Sequence, residues 1–341
     1  MEWQSVYGWI VIGLLTVVLS YFSCYAAMLI AERSGLIALP GERQSHAVAT
    51  PAGGGLGIIF SLAAASLCLQ WFFFIPDFWW QKMLPCIVLL TIVGWRDDKS
   101  PVPSLIRLLV QLAVSLWLLG YGWFEISLAG AGLFASAVLA MVWMMNLYNF
   151  MDGSNGMAGF QGVFAGLVMA VIFHAGDESA MALIALAVAA ASAGFLPLNF
   201  PRARVFMGDV ASVPLGFIFA SFAVYGVQSG VLNLSVAILI MSVFIVDSTM
   251  TLVARVFRGE RWYTAHAQHV YQRLIAQGWS HRKVLMVYQA INVILVLPAI
   301  LLAEIYPQYA IVAAGLTVLT LGVCWHIANR RLGMFATAQF K

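Results

Sequence analysis

Apolar runs long enough to cross a hydrocarbon core of about 30 Å recur from one end of the chain to the other, separated by short polar connections. They predict eleven helices, over 6–31, 54–74, 83–95, 105–123, 133–148, 157–174, 180–198, 210–227, 232–253, 284–302 and 309–328. The third of these is short, but Pro76, Trp79 and Trp80 before it and the charges after it behave like membrane ends. The fold class expected is an all-α polytopic membrane helix bundle, one integral membrane domain over 1–341.

Composition agrees. With 341 residues, 62% hydrophobic and 9% charged, the chain has too little polar surface to coat a soluble globule. The first span is too long and too poor in N-terminal charge for a cleavable signal, and is expected to stay as a permanent helix. Cys24, Cys68, Cys86 and Cys324 all fall inside apolar spans without metal-ligand spacing, so they are expected to pack as small hydrophobes. A net charge of +3 does not point to nucleic acid; where the charges sit is more informative. With the N-terminus outside, all of the 17 Lys and Arg except Lys82 fall on the other side. Retention of basic residues in the cytoplasm then places the N-terminus in the periplasm and the C-terminus in the cytoplasm. The outer connections, holding mainly Asp77, Glu125, Asp177, Glu178 and Glu304, read as plain turns.

The polar chemistry sits in the five inner connections, 32–53, 95–104, 148–156, 199–209 and 254–283. The first carries Ser45-His46, Thr50-Pro51 and the glycines 53–55. Glycines opening a helix let backbone N–H groups approach a phosphate, or simply let helices pack closely. In the second, the adjacent carboxylates Asp97 and Asp98 repel each other near hydrocarbon and demand a cation. Mg²⁺ suits them, since it takes one or two carboxylates plus phosphate oxygens; a solvated pair bridged to Arg96 and Lys99 is the plainer alternative. In the third, Asn146, Asn149 and Asp152 recur at i, i+3, i+6 and would share a helix face able to read a nucleobase edge, with Gly153 ending the helix. Helix capping is the alternative there, and it suits Asn155-Gly156 best.

The fourth connection runs from Asn199 through Arg202, Arg204 and Phe206 to Gly208-Asp209. Asp209 opens the next span, where a carboxylate suits the helix N-terminus and is open to a metal. The arginines can clamp phosphate and Phe206 offers a stacking face; positive-inside arginines and a capping Asp are the bland reading. In the fifth, His266 and His269 at i, i+3 can bind phosphate or relay protons; with no cysteine nearby a zinc site is not expected. Asp247, inside an apolar span, is either functional or an interhelical hydrogen-bonding group. All five segments fall on one side of the membrane, and no internal repeat is evident.

Taken in order, Ser45-His46 through Thr50-Pro51, Trp95-Arg96-Asp97-Asp98, Asn149-Phe-Met-Asp152-Gly153, Val205-Phe-Met-Gly-Asp209 and His266-Ala-Gln-His269 resemble the polyprenyl-phosphate N-acetylhexosamine-1-phosphate transferase family, and within it the branch that begins O-antigen or capsule (lipopolysaccharide) synthesis. The resemblance implies a multi-pass enzyme of the bacterial inner membrane with its active site facing the cytoplasm. It implies Mg²⁺, or Mn²⁺ in its place, as cofactor, a UDP-N-acetylhexosamine donor and an undecaprenyl phosphate acceptor, with no nucleic acid partner; a homodimer is plausible. Asp97 and Asp98 would be the catalytic acidic pair and metal ligands beside Asp209. Asn149, Asp152, Asn199 and Phe206 would shape the uridine pocket, Arg204 would clamp phosphate, and Asn155, where many members carry Asp, would report donor subclass. His266 and His269 would contact the diphosphate. Rival readings are an ion-coupled transporter or flippase, which predicts charges along a transmembrane path, and a structural scaffold.

Overall fold

The protein is described by a computed structural model over residues 6–38, 49–72, 74–120, 128–261 and 266–333. It is built from α1 (Val6–Ser34), α2 (Leu56–Phe72), α3 (Leu84–Lys99), α4 (Ser104–Leu119), α5 (Leu128–Phe150), α6 (Met157–Ala175), α7 (Ser179–Asn199), α8 (Asp209–Gln228), α9 (Leu234–Ile240), α10 (Ser242–Phe257), α11 (Val270–Ala276), α12 (His281–Ile291), α13 (Leu297–Ile305) and α14 (Ala310–Arg331). A two-stranded antiparallel ribbon pairs β1 (Ile37–Ala38) with β2 (Thr50–Pro51). Helix is the form such apolar runs must take in lipid, where each backbone N–H and C=O has to be satisfied within its own segment. Among the described residues eight helices are long and apolar enough to cross a membrane, nine if the bent pair α9 and α10 is one span, and α2 and α4 are shorter apolar helices. The all-α membrane bundle expected from the sequence is thus the architecture of the chain.

The chain divides into two compact units, the first taking in α1 to α8, the second α9 to α14 together with Gly153–Asn155. In the first, α7 lies between α6, α1 and α2, while α3 and α5 pack on α8. Lipid gives helices no hydrophobic reason to associate, so contact depends on small residues that let backbones come close. The alanines of α7 are buried from Ala182 to Ala191, and a Cβ on Gly57 would run into the Cys24 backbone of α1. Likewise a Cβ on Gly166 of α6 would lie 2.9 Å from the Ala185 carbonyl of α7. Tyr148 and Phe219 stack in this core at 5.7 Å. Large apolar side chains such as Leu14, Phe22 and Leu139 point outward, as lipid-facing positions do.

In the second unit α10 and α13 pack on α14. Helices α12 and α13 form one rod, widened to a π turn at Asn292–Val296 just before Pro298. A second π turn, Phe78–Met83, precedes Pro85 in the same way. Proline has no N–H for the ladder, and the wider turn absorbs its ring without breaking the helix.

Two expectations are refined. The short third span is Phe78–Lys99, 22 residues, because the tryptophans taken as flanks are themselves helical. The run over 232–253 is broken at Met241, where α9 and α10 meet at 77° with neither glycine nor proline to mark the bend. Gly57→Val should destabilise the fold by about 1–3 kcal/mol through forced separation of α1 and α2, read as a lower Tm in detergent. Gly315→Ala on α14, where a Cβ meets nothing within 4 Å, should leave Tm in place; equal melting of both variants would contradict the close packing of α1 on α2.

Candidate active site

The end of α3, the end of α5 and the start of α8 meet at one end of the first unit. Asp98 Oδ1 accepts the Asp209 N–H at 2.9 Å and Oδ2 the Val210 N–H at 3.2 Å, so the carboxylate closes the first turn of α8. Two glycines permit this approach. Gly208 holds φ 78°, a region costly for any residue with a Cβ, and a Cβ there would strike the Asp98 carboxylate. Gly94, one turn before Asp98, leaves room for the Asp209 main chain.

Asp97 Oδ1 accepts the Val102 N–H at 2.6 Å, and its Oδ2 receives Arg107 Nη1 at 2.7 Å. The same Nη1 lies 3.2 Å from Asp209 Oδ2. Arg107, on α4, is a site residue that sequence reasoning did not single out; its signal is a lone charge in an apolar helix.

Asp152 belongs to this cluster. Its carboxyl accepts a hydrogen bond from the Gly208 main chain, while burial, then the Asp209 and Asp98 carboxylates, push its pKa well above the usual carboxylate range. Asn149 Oδ1 accepts the Ser212 hydroxyl at 3.2 Å, one turn into α8. Asn146 plays a different part, since its Nδ2 donates to Gln111 Oε1 at 2.7 Å and ties α5 to α4. The row at i, i+3, i+6 therefore splits, two members at the site and one between helices.

Asn199 is buried, with Oδ1 accepting the Gly156 N–H at 2.6 Å and Nδ2 donating to the Val205 carbonyl at 2.9 Å. It fixes the two loops that flank the carboxylates. Phe206 is half-buried, its main chain clasped between Pro51 and Gly54. Gly54 and Gly55 donate their N–H groups to the Phe206 and Met207 carbonyls, and a Cβ on either would meet Val205 or Ala211. Those glycines serve close packing, the plainer of the two sequence readings. Arg204 is exposed, its guanidinium 5.8 Å from the Tyr25 ring centroid.

Three candidate residues belong to the second unit. The rings of His266 and His269 lie 5.0 Å apart, and His269 stacks on Tyr271 at 5.9 Å. Burial, then His269 and Arg255, pull the His266 pKa down to about 3. Burial and Arg255 bring His269 down to about 4, against a hydrogen bond to the Asp247 main chain. The pair is therefore neutral at pH 7 and offers hydrogen bonds without charge. Asn155 N–H reaches His281 Nδ1 at 3.4 Å, beside a 3.0 Å contact from the Ser154 hydroxyl to the same nitrogen. Ser45, His46 and Trp262 lie outside the described residues.

Among the described residues no three His, Cys, Asp or Glu side chains form a metal cage by themselves. The trio Asp97, Asp98 and Asp209 is adjacent, but Asp98 is engaged by the start of α8 and Arg107 bridges the other two. Magnesium seldom needs a full protein cage, taking one or two carboxylates and leaving its other positions to water and phosphate. Hard carboxylate oxygens of Asp97 and Asp209, which share one guanidinium, fit that requirement.

Fold and site together define a multi-pass membrane protein with a polar, carboxylate-lined centre at one end of a helix bundle. The chain matches the model of glycosyl transferase family 4 over residues 80–227, which carry Asp97, Asp98, Asn149, Asp152, Asn199, Phe206 and Asp209. It is 29% identical to a decaprenyl-phosphate N-acetylglucosaminephosphotransferase of Mycolicibacterium smegmatis, over 83% of this chain and 79% of that one. It is 27% identical to a probable undecaprenyl-phosphate N-acetylglucosaminyl 1-phosphate transferase of Bacillus subtilis, over 80% and 79%. Against the undecaprenyl-phosphate alpha-N-acetylglucosaminyl 1-phosphate transferase of Escherichia coli K12 the identity is 26%, over 82% and 78%. The transporter reading finds no support in these relatives.

The histidines give the second unit a pH signature. Unfolded histidine titrates near 6.5, whereas folded His266 and His269 do so at about 3 and about 4. The unfolded chain binds more protons in between, so stability present above pH 6.5 is lost as pH falls toward 4. Thermal unfolding in detergent should show Tm falling over that interval, with a flatter slope in the His266→Gln/His269→Gln double variant. Identical slopes would assign the loss to other groups.

Proposed function

We propose that this protein transfers an N-acetylhexosamine 1-phosphate from a UDP-sugar to undecaprenyl phosphate at the cytoplasmic face of the bacterial inner membrane, releasing UMP and starting O-antigen or a related surface polysaccharide. The observation that carries the reading is the gathering of Asp97, Asp98, Asp152 and Asp209 at one end of a membrane-spanning bundle. The match to the glycosyl transferase family 4 model and the activities in the names of its relatives support it.

In the reaction, an oxygen of the lipid phosphate forms a bond to the sugar-bearing phosphorus, and the bond from that phosphorus to the UMP oxygen breaks. Both reactants are anions, so neutralisation and alignment are the main requirements. Asp97 and Asp209, with Asp98 beside them, would hold Mg²⁺ or Mn²⁺, which supplies positive charge for the diphosphate when bound. Asp98 sets the start of α8 and so the direction of Asp209. Asp97 orients the attacking phosphate; a phosphate monoester with a second pKa of about 6 is largely ionised at pH 7, so a strong base is unnecessary. Arg107, shared by Asp97 and Asp209, is suited to follow charge as it moves between them. Asn149, Asp152 and Phe206 provide amide, carboxyl and ring surface for the uridine, and Asn199 holds the loops that present them. His266 and His269 enter as neutral hydrogen-bonding contacts to phosphate, on the strength of the family resemblance.

Membranes containing the protein, given undecaprenyl phosphate, Mg²⁺ and a panel of UDP-GlcNAc, UDP-GalNAc, UDP-QuiNAc and UDP-FucNAc, should release UMP with one donor preferred. Asp209→Asn should cut release on the order of 100-fold or more while Tm stays near that of the parent. No UMP from any donor, or full activity in Asp209→Asn, would defeat the reading.

A further inference from the structure

Asp247 has no part in the chemistry above, yet it is 4% exposed and sits in the apolar helix α10. Its carboxylate is fully committed to neighbours. Oδ1 accepts the Val270 N–H at 3.0 Å and the Thr251 hydroxyl at 3.3 Å, and Oδ2 accepts the Tyr288 hydroxyl at 2.7 Å. Thr251 Oγ1 in turn receives Trp325 Nε1 at 3.3 Å. One side chain thus joins α10 to α11, α12 and, through Thr251, α14.

What this network holds is specific. Helix α11 has seven residues, too few to be stable alone, so its start must be fixed from outside. Val270 is its first residue, and His269 immediately precedes it. The His269 ring also hydrogen-bonds to the Asp247 main chain, and it stacks on Tyr271 at an interplanar angle of 11°. The carboxylate of Asp247 therefore fixes the backbone beside His269, while its main chain fixes the ring. A residue needed only to fill space between helices would do as well with a leucine, because a buried carboxylate costs free energy that an apolar side chain avoids. Four donors converging on it, one of them the amide next to the histidine, assign it a more particular role.

We propose that Asp247 is a positioning residue that sets the orientation of the His269 imidazole for phosphate contact, by anchoring the start of α11. This rests on the transferase reading for the purpose of the histidine, though the anchoring can be measured independently.

The test uses the full chain in detergent, labelled with ¹⁵N-histidine, with the His269 ring signals identified by their loss in His269→Ala. In Asp247→Ala those signals should shift, and kcat for UMP release should fall about 10–100-fold, the range typical of partners that orient a functional histidine, with KM for the UDP-sugar little changed. Asp247→Asn keeps an oxygen for the Val270 N–H and should recover most of both properties. Unmoved ring signals in a folded Asp247→Ala protein overturn the proposal, as does a kcat loss that Asp247→Asn fails to reverse in part. If Asp247→Ala does not fold, Thr251→Val removes one donor of the network and should shift the His269 signals by a smaller amount; no shift overturns the proposal. Full turnover in His269→Ala would instead remove the substrate role of the histidine, and so strike at the transferase reading and not at the anchoring.

Discussion

The close approach of α3 to α8 is the constraint on which the polar centre depends. Gly94 and Gly208 remove the side-chain bulk between them, and Asp98 then satisfies the first amides of α8. A helix start that close to hydrocarbon needs an acceptor, since unpaired amides in an apolar setting are costly. Supplying it from a neighbouring helix, and with a carboxylate, brings Asp97 and Asp209 to within reach of the same guanidinium. One structural need, closing a helix end, thus assembles most of a chemical site.

Much of the architecture was legible in the sequence because membrane helices announce themselves by length and apolarity alone, without any period to decode. The bend at Met241 was not, since neither glycine nor proline stands there and the turn is set by tertiary packing. The carboxylate cluster of the first unit was legible as residue types. It was less legible as roles. Asn146 and Asn149 share a pattern, yet one bridges helices and the other faces the carboxylates. Gly54 and Gly55 look suited to phosphate, but their amides are taken by the loop ahead of Asp209. Arg107 could not be ranked above other basic residues until Asp97 and Asp209 were seen to share it.

The second unit illustrates a different point about buried polar groups. Two histidines beside Arg255, with Arg258 also near His266, would be poor cations, and burial with those guanidiniums keeps them neutral. Arg255 and Arg258 are in turn drawn to Glu260, at 3.1 and 2.9 Å. Charge in this region is thus carried by guanidiniums, while the imidazoles keep their capacity for directional hydrogen bonds. Asp247 follows the same pattern: its oxygens are taken by two amides and two hydroxyls, and none of those partners is ionic.

The balance of charge in the carboxylate cluster also constrains how it can work. Asp97, Asp98, Asp152 and Asp209 are four acids, and Arg107 is the basic side chain among the described residues that pairs with them. Asp98 is partly compensated by the start of α8, and Asp152 by its readiness to hold a proton. Asp97 and Asp209 share the one guanidinium of Arg107. An anion brought to such a centre meets like charge in a medium that screens it poorly. If the proposed transfer is right, entry of its diphosphate donor is coupled to the arrival of further positive charge, and the carboxylates that repel a bare anion become the groups that admit a neutralised one.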